Sequence, residues 1–243
     1  MMRAIALLGC AMLLAGAVPP PKAVKVERNS AALEFSYAWP AEAAAIAPLD
    51  RRFRAAMDKA WREARAIVRE EQKLTAEQKR PFNPQFYSMA WTNAGQSKRL
   101  LSLQSDHGEF TGGAHPNSSY GALLWDRALA REVKLHALFR NPAGLSAATR
   151  NAYCKALDAE RLKRREGEKL DGDFSACPKF SELAIAPVDS NKDGRFDTID
   201  FVASPYTAGP YVEGEYDISL PVTAALIAAL KPHYRAAFEA QRQ

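Results

Sequence analysis

The amino-acid sequence predicts an α+β fold, in which a mainly antiparallel sheet packs against a long N-terminal amphipathic helix and a C-terminal helix. Two observations predict it. Apolar residues recur at helical spacing from Leu49 to Val68, and several short strand-like segments follow one another without intervening helices. Strands that follow one another directly are typical of antiparallel sheets, whereas regular strand-helix alternation is typical of parallel ones.

The elements follow in chain order. Residues 33–39 alternate between apolar and small or polar side chains, which predicts a half-buried strand ended by Pro40. The amphipathic helix comes next, with charged residues on its outer face. Strands are predicted near residues 86–92, 100–105, 119–125, 182–187, 196–203 and 216–220; helices near 145–164 and from 221 onward; and either a strand or a short helix near 134–139.

The charge pattern argues against nucleic-acid binding. The net charge is +5, and basic and acidic residues are mixed along the chain. The densest basic run, residues 161–165, is followed by Glu166 and Glu168, as expected for a solvated helix end. The field of such a chain is weak and gives at most a preference for anionic envelope polymers.

The first residues predict export. Arg3, the apolar residues 4–14 and the small residues 15–17 follow the pattern of a signal peptide over residues 1–17, which predicts a periplasmic or secreted protein. Residues 7–10 also resemble a lipoprotein box, in which Cys10 would be lipidated and attach the protein to a membrane. The short apolar run before Cys10 favours cleavage after Ala17, and the lipoprotein stays the alternative.

The remaining cysteines are Cys154 and Cys177. An even pair in an oxidising compartment predicts a disulfide, and two buried free thiols are the alternative.

Residues 189–200 follow the pattern of a calcium-binding loop. The ligand positions would be filled by Asp189, Asn191, Asp193, Arg195, Asp197 and Asp200, with Gly194 at the turn. Two features depart from an EF-hand: aspartate stands at position twelve, and the flanking residues have the pattern of strands. A hairpin turn with solvated acidic side chains is therefore an equal alternative.

Two loops rich in glycine and proline, residues 111–117 and 204–214, are expected to hold defined shapes. Gly-Gly-Ala-His-Pro-Asn at 112–117 and Pro-Tyr-x-x-Gly-Pro-Tyr-x-x-Gly at 205–214 resemble an envelope domain of unassigned activity. That domain occurs in RsiV-type anti-sigma factors and ahead of the catalytic module of PdaC-type peptidoglycan deacetylases. The resemblance covers about residues 105–234 and divides the chain into a front part, 18–104, similar only in its strand-helix-strand plan, and a family-like domain, 105–243.

The resemblance implies a recognition domain rather than an enzyme, because the family binds lysozyme in its RsiV branch and accompanies cell-wall enzymes elsewhere. The sequence has no sigma-binding segment, transmembrane helix or deacetylase module, so signalling and deacetylation are not implied. The ligand would be a cell-wall component or an exported protein such as lysozyme. The expected binding residues are His115, Asn117, Tyr206, Tyr211 and Glu213.

Two alternatives remain open. His107 or His115, with Asp106 or Glu109 nearby, would give a small envelope-glycan hydrolase an acid-base pair. Such a hydrolase requires these groups to converge in one pocket. If calcium binds, the protein is instead a calcium-stabilised structural module.

Overall fold

The computed structural model describes residues 21–169, 171–172 and 174–241. The predicted signal peptide and Cys10 lie outside the described residues. None of the described helices is both long enough and apolar enough to cross a membrane.

Six strands form the first sheet, in the order of the sequence. All neighbours are antiparallel except β2 and β3, which are parallel because a long helix connects them. The strands are β1 Val24–Asn29, β2 Leu33–Trp39, β3 Gln85–Gln96, β4 Leu100–Phe110, β5 Asn117–Asp126 and β6 Arg131–Val133.

The connecting segment contains a short helix α1, Ala41–Ala44, and the long helix α2, Ala47–Glu77. The apolar stripe predicted from the sequence faces the sheet: Leu49, Phe53 and Val68 are buried against alternate residues of β2. Apolar side chains repeat about every 3.6 residues on the helix and every two residues on the strand. Together they form one core between α2 and the first sheet.

A second core lies between helix α3, Gly144–Arg164, and a three-stranded antiparallel sheet. The strands of this sheet are β7 Ala184–Val188, β8 Thr198–Ala203 and β9 Tyr216–Pro221. Between β6 and α3, residues Leu135–Leu138 form a 3-10 helix, so the second of the two predictions for this segment is correct.

The C-terminal helix is shorter than the sequence predicts. Helix α4 covers only Ala224–Ala229, and a 3-10 helix, Pro232–Ala237, follows it. Leu230 is extended between them, and the backbone N–H of Lys231 donates to Leu138 O at 2.9 Å. Pro232 explains the interruption, because proline disfavours helical geometry at the residue before it.

The two sheets are in direct contact. Gln104 Nε2 donates to Asp200 Oδ2 at 3.2 Å, and the backbone N–H of Asp189 donates to Ala94 O at 3.0 Å. At Gly95, a side chain would overlap the backbone of Asp189, so glycine permits this close approach. The predicted division at residues 104 and 105 falls inside β4, a central strand of the first sheet.

Candidate ligand-binding surface

The two glycine- and proline-rich loops meet in space. The first connects β4 to β5 and the second connects β8 to β9. The rings of His115 and Tyr211 stack with their centroids 4.0 Å apart, and Tyr206 lies 5.6 Å from Tyr211 between ring centroids. We call these three side chains the aromatic surface. It joins residues that are about ninety positions apart in the sequence.

Hydrogen bonds fix the aromatic surface. Tyr211 Oη donates to Pro116 O at 2.6 Å, and His115 Nδ1 contacts the same carbonyl at 2.8 Å. A carbonyl only accepts, so Nδ1 carries the proton. In the neutral ring, Nε2 is then the acceptor for Tyr206 Oη, at 3.4 Å. His115 is therefore a structural link between the loops.

Tyr206 is an exposed member of the aromatic surface. It is 55% exposed, so the ring reaches solvent and does not cover the core. Its φ is +69°, in the left-handed region, which costs a residue with a β-carbon about 1–2 kcal/mol. Nearby, Ser204 Oγ accepts from the backbone N–H of Tyr120 at 3.1 Å and ties this loop to β5.

An ion pair between Arg165 and Glu213 connects the second loop to the end of α3. Arg165, which follows α3, donates two hydrogen bonds to the Glu213 carboxylate at 2.7 and 2.8 Å, and Tyr216 Oη donates to the same group. The Arg165 hydrogen bonds hold the pKa of Glu213 below its usual range. A Cβ on Gly209 would overlap this carboxylate. Glu213, predicted as a binding residue, therefore points inward and is only 12% exposed.

Arg161 supports the same loop. Its side chain is 4% exposed, and its Nε donates to Ala208 O at 2.9 Å. Its Nη2 donates to Ala176 O at 3.0 Å, next to Cys177. Cys154 and Cys177 form the predicted disulfide. Helix α3, the disulfide segment and the second loop are thus joined through one buried guanidinium.

Acidic side chains lie close to Tyr120, the residue of β5 that bonds to Ser204 at the start of the second loop. Burial and then the negative charges of Glu215, Asp106 and Asp217 raise the pKa of Tyr120 to about 12. Burial also raises the pKa of Asp217, and the charges of Asp200 and Glu215 raise it further. We call Asp106, Glu215 and Asp217 the acidic border; Arg164 lies at one end of it and donates to the backbone carbonyl of Glu215 at 2.6 Å.

The sequence does not single out the acidic border. Its members lie on β4 and β9 or beside β9, where a charged residue has the pattern of a solvated strand position.

Asn117, another predicted binding residue, begins β5 and is exposed. It pairs with Glu109 in the sheet.

His107 and His115 do not share a partner. His107 lies on β4, with Nδ1 3.2 Å from Ser119 Oγ, Nε2 3.9 Å from Glu109 Oε2, and its ring 4.8 Å from that of Tyr87. His115 contacts Tyr206, Tyr211 and Pro116 instead. The two histidines therefore do not converge on one site, and of the two only His107 has an acidic neighbour among the described residues, Glu109.

The predicted calcium loop connects β7 to β8 in a hairpin. Asp189 accepts from the backbone N–H groups of Asp193 and Gly194 at 3.1 and 2.9 Å, and Asn191 Oδ1 accepts from that of Asp193 at 3.0 Å. Lys192 and Gly194 have φ values of +61° and +90°, which this tight turn requires.

Asp197 and Asp200, the last two predicted ligands, accept hydrogen bonds from serine side chains. Asp197 is buried and accepts from Ser190 N and Oγ at 2.8 and 2.6 Å. Asp200 accepts from Ser219 Oγ at 2.6 Å and from Gln104. Among the described residues, no three or more His, Cys, Asp or Glu side chains are grouped so as to hold a metal ion.

The C-terminal segment brings another carboxylate to this loop. Glu239 Oε1 accepts from Asn191 Nδ2 at 2.6 Å, and Arg195 pairs with both Asp193 and Glu239. The Arg195 guanidinium thus already pairs with two carboxylates beside this turn. The sequence pattern did not indicate Glu239, because it lies 48 residues from Asn191.

Comparisons with known proteins agree with this architecture. Residues 26–118 match the family model described as deacetylase PdaC. No curated protein is similar enough to match the chain.

Two crystal structures share the fold. A DUF3298 family protein from Pseudomonas aeruginosa PAO1 superposes with a TM-score of 0.59 at 15% identity, covering 92% of this chain and 99% of the other. A DUF3298 family member from Bacteroides fragilis NCTC 9343 has a TM-score of 0.53 at 15% identity, covering 89% and 96%. The chain therefore has the fold of these DUF3298 proteins, and its first part is similar to the PdaC domain.

Proposed function

We propose that this protein is a noncatalytic recognition domain of the bacterial envelope, and that the aromatic surface with its acidic border binds an exported cationic protein of the lysozyme type. The observation that carries the proposal is the assembly of His115, Tyr206 and Tyr211 from two remote loops into one fixed, partly exposed surface. Rigid aromatic side chains supply contact area at low entropic cost.

The charge of the surroundings favours a cationic partner. Asp106, Glu215 and Asp217 lie close enough to Tyr120 to raise its pKa. A negative surface steers a positive partner and opposes a negative one. Lysozyme is the probe because the sequence resemblance implies it.

Cell-wall glycan is the second candidate ligand. The exposed ring of Tyr206 favours it, because sugar rings pack on exposed aromatic faces. Binding of a neutral glycan would depend on Tyr206 and be nearly independent of salt, whereas lysozyme binding would weaken as salt screens the acidic border.

Isothermal titration of the protein with hen lysozyme, and separately with soluble peptidoglycan fragments, tests the proposal. Tyr206→Ala and Glu215→Gln/Asp217→Asn should each weaken lysozyme binding by about tenfold or more. Leu129→Ala is the matched control for the loss of an exposed apolar side chain, since Leu129 is 46% exposed beyond the far end of β5. Glu70→Gln controls for loss of an exposed charge. The proposal is wrong if neither ligand binds the wild type, or if the controls weaken binding equally.

The proposal includes export. Mass spectrometry of the protein purified from an envelope fraction distinguishes a mature chain that begins at Val18 from one lipidated at Cys10. An unprocessed chain that stays in the cytoplasm would contradict it.

A further inference from the structure

A groove beside helix α2 has a set of side chains that the proposed function does not use. It lies between helix α2 and the turn that joins β1 to β2, and its volume is about 530 Å³. Its lining combines arginines, amides and one tryptophan, and the residues that matter here are Arg28, Asn29, Trp61, Arg65, Arg69 and Gln72. We call it the arginine groove; it shares no residue with the aromatic surface.

The groove is built on one stripe of α2. Trp61, Arg65, Arg69 and Gln72 recur at the three- and four-residue spacing of a helix face. Arg28 approaches from β1, the edge strand of the first sheet. Two separate elements therefore point cationic side chains at the same space.

Trp61 organises these side chains. Its ring packs edge-on against Phe35, with the centroids 5.1 Å apart, and this contact anchors it to the core. The guanidinium carbons of Arg28 and Arg65 lie 5.1 and 5.5 Å from the Trp61 ring centroid. Both cations are thus held against a single indole, and their remaining N–H groups are available to a ligand.

The positive charge of the groove is poorly compensated. Arg28 has one acidic partner, Asp58, at 3.5 Å, and that carboxylate is 52% exposed. Within the described residues, no carboxylate lies within 4.0 Å of Arg65 or Arg69. Neighbouring like charges repel, and an anion placed between them offsets that repulsion.

We propose that the arginine groove binds the phosphate group of a phosphorylated sugar. Guanidinium groups present planar pairs of N–H donors that match phosphate oxygens, and convergent arginines are the usual solution for this recognition. The side-chain amides of Asn29 and Gln72, at the same groove, supply the donors and acceptors that sugar hydroxyls need. A neutral ligand would leave the clustered charges unpaired.

The test is isothermal titration of the full-length protein at low salt with three probes: glucosamine 6-phosphate, unphosphorylated glucosamine and inorganic phosphate. We expect glucosamine 6-phosphate to bind more tightly than inorganic phosphate, and glucosamine not to bind. Vesicles with and without phosphatidylglycerol distinguish a soluble phosphosugar from a lipid headgroup. Binding to anionic vesicles alone would overturn the assignment to a sugar, as would equal affinity for inorganic phosphate.

Two double variants give a matched comparison. Arg65→Gln/Arg69→Gln should weaken glucosamine 6-phosphate binding about tenfold or more. Arg51→Gln/Arg62→Gln removes the same charge from the same helix, at exposed positions outside the groove, and should leave binding within about twofold. Glutamine keeps helix propensity, and thermal melting verifies that both variants fold. If the wild type does not bind, or if both variants weaken binding equally, no groove-specific site exists.

Discussion

The ion pair between Arg165 and Glu213 gives the sharpest test of how the second loop is held. We consider Glu213→Gln, Arg165→Met and the double variant. Glutamine keeps the shape of Glu213 but removes the charge, and methionine keeps the stem of Arg165 without its donors. If the pair fixes the loop, each single change should destabilise the fold, and the double change should cost clearly less than their sum.

The structure sets the size of the effect. The pair has two charge-assisted hydrogen bonds, at 2.7 and 2.8 Å, and side-chain exposures of only 9% and 12%. Breaking a fully buried pair costs about 3–5 kcal/mol, and an exposed pair contributes about 0–1 kcal/mol. Each single variant should therefore lose about 2–3 kcal/mol, because it leaves one charge without its partner. The double variant leaves neither charge, so the coupling free energy should be about 2 kcal/mol.

Urea denaturation of the four proteins, with the disulfide intact, measures the cycle. A loss of 2–3 kcal/mol corresponds to a melting-temperature decrease of about 4–12 °C for a chain of this size. The cycle of Lys59→Gln and Glu63→Gln is the control, since that pair is 3.7 Å apart and its side chains are 70% and 61% exposed. It should give a coupling below about 0.5 kcal/mol. A coupling equally small for Arg165 and Glu213 would refute the reasoning.

Four further predictions follow from the same geometry. The Arg165 hydrogen bonds hold the folded pKa of Glu213 below its unfolded value of about 4.3, so its stabilisation is present above that pH and is lost as the pH falls through the lowered folded pKa. Urea midpoints of the wild type should therefore fall more steeply with acidity than those of Glu213→Gln, and parallel curves would contradict this. Tyr206→Gly removes the left-handed backbone strain but raises the conformational entropy of the unfolded chain, so the melting temperature should change little while the affinity for lysozyme falls. A decrease of more than about 1 kcal/mol in the free energy of unfolding would mean that the ring packs on the core. Arg195→Ala leaves the carboxylates of Asp193 and Glu239 without their cationic partner, so calcium should raise the melting temperature of this variant more than that of the wild type. If both proteins melt at the same temperature in calcium and in chelator, the loop does not bind calcium. Cys154→Ser/Cys177→Ser opens a loop closed across 23 residues and should lose about 3 kcal/mol in urea; an unchanged midpoint under non-reducing conditions would show that the crosslink does not stabilise the fold.

Much of the fold could be predicted from the sequence, because its elements have strong local patterns. Strand β2 begins and ends at the predicted residues, and the apolar stripe of α2 faces the sheet as expected. The parallel pairing of β2 with β3 was not predicted, since strand order alone does not give direction across a helical connection. The C-terminal helix is predicted, but its early end is not, because the apolar spacing continues past the interruption at Pro232.

The candidate site was predictable only in part. Glycine and proline identified both loops, but nothing local indicates that His115 stacks on Tyr211. Glu213 has the sequence pattern of a surface acid, yet it is the partner of Arg165. The Arg165–Glu213 and His115–Tyr211 contacts depend on tertiary packing, including that of α3 against the loop, and the local sequence pattern does not indicate that packing.

The aromatic surface takes residues from both halves of the chain. The PdaC match ends at residue 118, so it includes His115 but not the loop that carries Tyr206 and Tyr211. Each half therefore contributes only part of the aromatic surface, and His115 would lose its stacking partner without the second half. The supports of the second loop, Arg161 and Arg165, lie at the end of α3. Arg161 bonds to the backbone of this loop and Arg165 bonds to the Glu213 carboxylate, so neither support uses the exposed rings of the loop. A loop that is held in this way leaves its exposed rings available for contact with a ligand.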